Sequence, residues 1–490
     1  MLNPKPLIRT FVVAMLATGA LLAASPAVAR AEPADPVDIA IEEPVASTTD
    51  WADLEARASR DGVVKVVVEL EPGVRGRSKT EHLSNLTRTR DRLLGELAGK
   101  QLRNLNTVEG SPIVAFAADA KDLARLRRSK AVRSVTVDEV HSSAATVNHG
   151  FQSGVQIQQW WDIKQISSDW TNANGYTGRG QSVVVIDTGV DRSHSWLSGW
   201  VTTEACFATN TNGTGACPGG SYYSYNTSPY GVSGAAAPCT YHGSCAHGTH
   251  VAHTAAGAYG TARGAGIVAI QASHYDWSAK AGAYVPMFND SDLINALWYV
   301  YYKLPFLPAA INISVGGDWF PSACDAAKPS FASYINALKS RGVATVIASG
   351  NDDYTNGVSS PGCIANAITV GNTTLDTAGY DAVLGYTHGP GGSNSSATLD
   401  LLAPGTDICS AVPVFLDYDG SKDGIGCDWT GTSMAAPHVA GAIAVLKAYR
   451  PSATVDQSQN ALRLSGPGLY DSRNGITRTR INLYTALGKI

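Results

Sequence analysis

Gly431-Thr432-Ser433-Met434-Ala435-Ala436-Pro437-His438-Val439-Ala440-Gly441 places a serine at the start of a small-residue run that continues at helical spacing to Tyr449. A serine there can serve as an ordinary N-cap. Ala435, Ala436, Ala440 and Gly441 imply a helix packed closely on all sides. The Gly-Thr lead-in asks for a further reason, because glycine lets another backbone approach the hydroxyl. A serine hydroxyl is a poor nucleophile at neutral pH and needs a base within hydrogen-bond reach, itself oriented by a carboxylate.

Two upstream stretches supply such groups. Val183-Val184-Val185-Ile186-Asp187-Thr188-Gly189 delivers a carboxylate to the carboxyl end of an apolar strand and then turns on glycine. Ligands of open α/β sheets gather at that end, although an aspartate at such a boundary is more often only a turn residue. His247-Gly248-Thr249-His250 sets an imidazole at the start of a helix, where a lone histidine would more often be a cap. Around these motifs, short apolar runs (182–186, 268–273, 309–314, 343–349 and 367–370) alternate with helical spacing over 248–258, 290–301 and 330–339. Continuous apolar strands of that length suit a parallel sheet covered on both faces. The Tyr/Gly/Ser-rich stretch 219–238 reads as a loop.

All three motifs, with His-Gly-Thr-His-Val-Ala from His247, resemble those of subtilisin-like serine peptidases, in that family's Asp…His…Ser order. The resemblance runs from about Trp161 to Tyr449 and implies an α/β fold: a mostly parallel central sheet with helices on both faces. It implies that Asp187 orients His247, that His247 is the general base, and that Ser433 attacks the scissile carbonyl. Ala348-Ser349-Gly350-Asn351 resembles the segment that presents the oxyanion-hole asparagine, so Asn351 should donate its amide beside the Ser433 N–H. Ser314, Val315 and Gly316 resemble the segment that pairs with an extended substrate as an added strand, with Gly316 leaving room for the P1 side chain. Taken alone, Asn351 would read as a turn residue and Ser314–Gly316 as a strand ending. Departures are His253, where glycine is usual, and Gly264–Ala269, which lacks the usual Val-Ala-Pro. Neither touches a reacting group.

The remaining chain gives the context. Lys5 and Arg9 precede an apolar run over 11–24 and the small residues Ala27-Val28-Ala29. This reads as a signal peptide over 1–29, too short an apolar run to span a bilayer, and the protein is expected outside the cell. An acidic, Pro-rich spacer follows over 30–52. Residues 53–146 carry no cysteine and read as strand 63–70, helix 79–98, strand 113–117, helix 119–129 and strand 132–137, with room for a strand over 102–108. That is a small ferredoxin-like unit. By the same resemblance it is the inhibitory propeptide of a catalytic domain over 147–490, made as a self-processing zymogen and cleaved within 143–148. The eight cysteines all lie beyond residue 200, and in an exported chain an even number predicts disulfides. Sequence proximity, and the resemblance of Cys363 to a cysteine of disulfide-bearing relatives, favour Cys206–Cys217, Cys239–Cys245, Cys324–Cys363 and Cys409–Cys427 among 105 connectivities. The stretch 206–245 looks inserted.

Net charge of −4, from 37 basic and 41 acidic residues, gives no electrostatic reason for a nucleic-acid or membrane partner. Expected partners are protein or peptide substrates and the chain's own propeptide, with the protein a monomer. No cofactor is expected for catalysis. Calcium often stabilises relatives of this family, but no EF-hand-like ligand spacing marks a site. Asp352 and Asp353 could rim the S1 pocket and favour a basic P1, and a solvated loop is the slightly preferred reading. Among competing functions, a lipase would need a Gly-x-Ser-x-Gly elbow around Ser433, which is absent. A zinc peptidase would need H-E-x-x-H, and His247 and His250 stand three apart with no such glutamate. A catalytically inactive binding or adhesion protein is the alternative from another class. Against it stands the presence of every reacting residue.

Overall fold

In the computed structural model the described residues are 49–72, 78–97, 102–143, 146–152, 161–225, 234–279, 281–375, 381–383, 392–416 and 423–490. The expected signal peptide and nearly all of the spacer lie outside them. The spacer's last residues differ from expectation, because a helix begins at Trp51 and runs to Asp61. Asp50 accepts the Asp53 N–H at 3.0 Å as its cap, yet only Leu54 and Ala58 of this helix are buried. So weak an apolar stripe is why the sequence reading passed over it.

The upstream unit is built on four antiparallel strands in the order Arg103–Thr107, Ile113–Ala118, Val64–Leu70, Val132–Val137. Strand period two sorts its side chains. Val66, Val68, Val114 and Phe116 join Leu86 and Leu93 of helix Lys79–Leu97 and Leu123 of helix Ala120–Leu126 in a private core. Val67 and Ile113 face the other way, into the core of the larger unit.

That larger unit carries a nine-stranded sheet. Val201–Phe207, Gly266–Gln271, Ser182–Asp187, Ala310–Ile313, Ala344–Ala348, Ile368–Leu375 and Leu401–Pro404 pair in parallel in that order, and short strands Tyr223–Tyr225 and Asp381–Val383 pair antiparallel with Val201–Phe207 and with the end of Ile368–Leu375. Alternate residues of the central strand serve opposite cores. Val183 and Val185 pack with the helices His247–Ala255 and Thr432–Tyr449, whereas Val184 and Ile186 pack with Asp290–Tyr302 and Pro329–Ser340. Both faces are therefore covered, and the runs read as continuously apolar. Val201–Phe207 escaped the sequence reading because Thr202, Thr203 and Glu204 interrupt it. The expected loop over 219–238 holds the strand Tyr223–Tyr225. From Ser182–Asp187 the chain builds the sheet first toward one edge and then toward the other, so Asp187 ends the strand at the switch point, where crevices form.

All four favoured disulfides are present: Cys206–Cys217, Cys239–Cys245, Cys324–Cys363 and Cys409–Cys427.

Candidate active site

Asp187 is fully buried at its strand's carboxyl end, where Oδ1 accepts the Thr188 N–H at 2.7 Å and lies 2.8 Å from His247 Nδ1. His247 opens the helix His247–Ala255. Thr188 Oγ1 accepts the Gly248 N–H at 2.9 Å and donates to the Cys245 carbonyl at 2.9 Å, which ties the start of the helix to the aspartate's strand. The other imidazole nitrogen, Nε2, is buried with no hydrogen-bond partner among the described residues. One face of the ring looks toward Trp429, which stacks on the next histidine, His250, at 4.4 Å between centroids. His253, the departure noted in the sequence, is buried, with Nδ1 2.7 Å from Ser410 Oγ. Burial pushes its pKa down to about 3, so the extra imidazole sits neutral within the packing.

Ser433 stands in the first turn of Thr432–Tyr449. Its Oγ donates to the Ser314 carbonyl at 2.9 Å, while Ser314 Oγ donates to the Ser433 carbonyl at 3.0 Å. Asn351 is held from the same turn: its Oδ1 accepts both the N–H and the hydroxyl of Thr432 at 2.9 Å. Gly350 before it has φ +100°, and a side chain there would collide with Asn394 and Ser359. The hold of Thr432 on Asn351 was not read from sequence, because it joins residues 81 apart in the chain. Asp353 pairs with Arg473, and the Asp352 N–H donates to Asn394 Oδ1 at 2.9 Å.

Beside Ser433 runs the chain itself. The strand Val140–Ser143 lies antiparallel between Ala283–Asn289, where Ser142 faces Met287, and Val315–Gly316, where Ser143 faces Val315 and Ser142 faces Gly316. The strand Thr146–Gln152 then pairs with Ile425–Thr430, Thr146 facing Thr430. Ser433 lies three residues beyond Thr430, so the two paired segments flank it. The hairpin His274–Ser278/Ala283–Asn289 that forms one wall was not read from sequence.

The approach to this cleft is polar. Asp138 accepts the Ser291 N–H and hydroxyl, each at 2.9 Å, at the first turn of Asp290–Tyr302. Burial raises its carboxyl to about 6. Burial likewise raises Glu139 to about 7, against the pull of Lys328. Lys328 Nζ lies 2.7 Å from Asp290 Oδ2 and also contacts Glu139. Among the described residues, no group of three or more His, Cys, Asp or Glu side chains could hold a metal ion, so no residue here is assigned to calcium. No helix among them is long and apolar enough to cross a membrane.

Residues 178–476 match the model of the subtilase family, Peptidase_S8. The chain is 30% identical over 437 residues to an extracellular protease of Xanthomonas campestris pv. campestris, covering 82% of this chain and 68% of that protein. It is 30% identical over 355 residues to an extracellular serine proteinase of Thermus sp. (strain Rt41A), 71% of this chain and 69% of that one. Subtilisin E of Bacillus subtilis (strain 168) is 28% identical over 392 residues, 78% of this chain and 81% of the relative. Among solved structures, fervidolysin from Fervidobacterium pennivorans, a keratinolytic enzyme related to subtilisin, aligns with a TM-score of 0.59 at 22% identity. That alignment covers 87% of this chain and 61% of fervidolysin, and at such identity it speaks for the fold alone.

Proposed function

From the membership of this chain in the subtilase family, we propose that it is a self-processing zymogen whose triad is Asp187, His247 and Ser433. At the coarser level it is an extracellular serine peptidase of the subtilisin type. In the proposed mechanism the His247 Nδ1–H donates to Asp187, which fixes the tautomer and leaves Nε2 as the base. The Ser433 hydroxyl swings from the Ser314 carbonyl to Nε2, loses its proton there and attacks the scissile carbonyl. With its side-chain oxygen held by Thr432, Asn351 offers its amide N–H to the oxyanion, beside the Ser433 N–H at the helix start. His247 returns the proton to the leaving amine, and water then releases the acyl group by the same base.

The observation that carries this reading is the threaded chain: Val140–Ser143 lies against Val315–Gly316 on one side of Ser433, and Thr146–Gln152 lies against Ile425–Thr430 on the other. A substrate would be held in the same way, by strand addition. Cleavage within 143–148 would leave the upstream unit seated as a product, and hence as an inhibitor. The proposed boundaries are a signal peptide over 1–29, a spacer over 30–52, a propeptide over 53–146 and a catalytic domain over 147–490; from the helix at Trp51, the propeptide would begin about two residues sooner. Ser433→Ala, made without other proteases, should remain the full pro-form, while the parent should yield a mature N-terminus at one of residues 144 to 148. Processing of Ser433→Ala at that place, or a parent whose secreted N-terminus lies near residue 30, would refute the zymogen reading. Failure of a fluorophosphonate probe to label the mature parent would favour the inactive binding protein instead.

A further inference from the structure

The side chain of His141 fills a closed socket of the larger unit. His141 faces Phe288 in the cleft pairing, one residue before Ser142, so its backbone lies where a substrate backbone would lie. Its side chain has no exposure, and Nε2 contacts Asp290 Oδ1. The second oxygen of Asp290 is 2.7 Å from Lys328 Nζ. On the remaining side the wall is Gly317, where a Cβ would overlap the imidazole ring. Two residues bound this space with charge and one bounds it by lacking a side chain.

We infer that Asp290, Lys328 and Gly317 form a substrate subsite selective for histidine at the position His141 occupies, two residues ahead of Ser143. The inference rests on the peptidase reading above and deepens it by naming a substrate class. When the upstream strand leaves, His141 and Glu139 leave with it, and the socket keeps the Asp290 carboxylate and the Lys328 ammonium, with the exposed Asp318 beside the place that Glu139 vacates. A lysine or arginine entering it meets Lys328, and an aspartate or glutamate meets Asp290. An apolar side chain covers the carboxylate without replacing the lost donor, and a buried acceptor left unmatched is costly. A flat ring with an N–H donor fits the glycine wall and satisfies Asp290. The plainer role for the same contact is to fasten the upstream unit, which would give no preference among free peptides.

The test uses mature enzyme and synthetic peptides spanning residues 138–149, with position 141 as His, Ala, Leu, Phe, Lys or Glu, and reads kcat/KM and the product masses. Expected is an advantage of about tenfold for the His peptide over the others, the usual size of one hydrogen bond to a charged group in a specificity ratio. In Asp290→Asn and Gly317→Ala the ratio of His to Ala peptide should fall to within about twofold. A merely structural defect lowers both peptides together and leaves that ratio standing. A flat profile, a preference for Leu or Phe, or a ratio retained in both variants would overturn the subsite, as would an enzyme that digests casein but no peptide. An enzyme that cuts neither casein nor any peptide overturns the peptidase reading itself.

Discussion

The side-chain oxygen of Asn351 accepts two hydrogen bonds from Thr432, from the amide and from the hydroxyl, each 2.9 Å long. A carboxamide so held has its orientation fixed before any substrate arrives. Thr432 directly precedes Ser433, so the same turn that carries the proposed nucleophile also aims the proposed oxyanion donor. Preorganisation of this kind acts on the transition state more than on the ground state. Asn351→Ala should therefore lower kcat by ~10²–10³ with KM nearly unchanged, a size measured for the corresponding donor in subtilisin and carried over here. Steady-state kinetics on a peptide anilide would check it, and an unchanged kcat would mean that another group holds the oxyanion.

Thr432→Val tests the clamp separately. It keeps the backbone N–H bond to Asn351 and removes the hydroxyl bond, together with the hydroxyl's acceptance of the Gly350 N–H at 3.1 Å. A fall in kcat of about tenfold, smaller than for Asn351→Ala, is expected for one partially misaimed donor. Equal losses in the two variants would show that the hydroxyl, and not the amide, carries the effect.

Asp138 gives a pH signature to the uncleaved protein. Its carboxyl is raised from 3.8 to about 6 by burial, against the downward pull of the Ser291 hydrogen bonds. A carboxyl pKa raised in the folded state contributes most at low pH, and that contribution is lost as pH climbs from the ordinary value through about 6. In the Ser433→Ala background, Asp138→Asn should match its parent in denaturant stability near pH 4 and exceed it above pH 6.5 by about 2–3 kcal/mol, from the shift of roughly two units. Asparagine can still accept the Ser291 N–H. Comparing the two proteins at each pH cancels groups of the opposite sign, such as His82, whose pKa burial lowers. A difference that stays flat from pH 4 to 7 would refute the assignment.

Cys324 and Cys363 join two segments that border the cleft, one following Gly317 and the other following Asn351, and close a loop of sequence separation 39. Strand Trp319–Phe320, just before Cys324, pairs with Val358–Ser359, just before Cys363. Replacing both cysteines by alanine in the Ser433→Ala protein should cost ~2–4 kcal/mol, measured as a lower denaturation midpoint. Peptide mapping without reductant that joined Cys324 to another cysteine would overturn the pairing.

The proposed reacting groups were legible because each sits at the end of a strongly patterned element. An apolar strand that stops at Asp187 and a small-residue helix that starts at Thr432 can each be recognised within a dozen residues. What escaped depends on partners far apart in the chain. The Asp290 contact to His141 spans 149 residues, and from sequence alone Asn289-Asp290-Ser291-Asp292 reads as an ordinary helix start. The hairpin wall was missed because Tyr275 and Trp277 put their aromatic rings on the solvent face, which blurs the alternation that marks a strand. The helix Trp51–Asp61 buries too few side chains to declare itself.

The threading of one chain past Ser433 has a kinetic meaning. The strands Val140–Ser143 and Thr146–Gln152 belong to the same molecule as the serine they flank, so in the proposed self-processing the first bond broken need not be found by diffusion. Tethering replaces bulk concentration with an effective molarity fixed by geometry. Maturation of the parent should then follow first-order kinetics with a half-time indifferent to dilution over several decades. Later turnover on free peptides should scale with the concentrations of both partners.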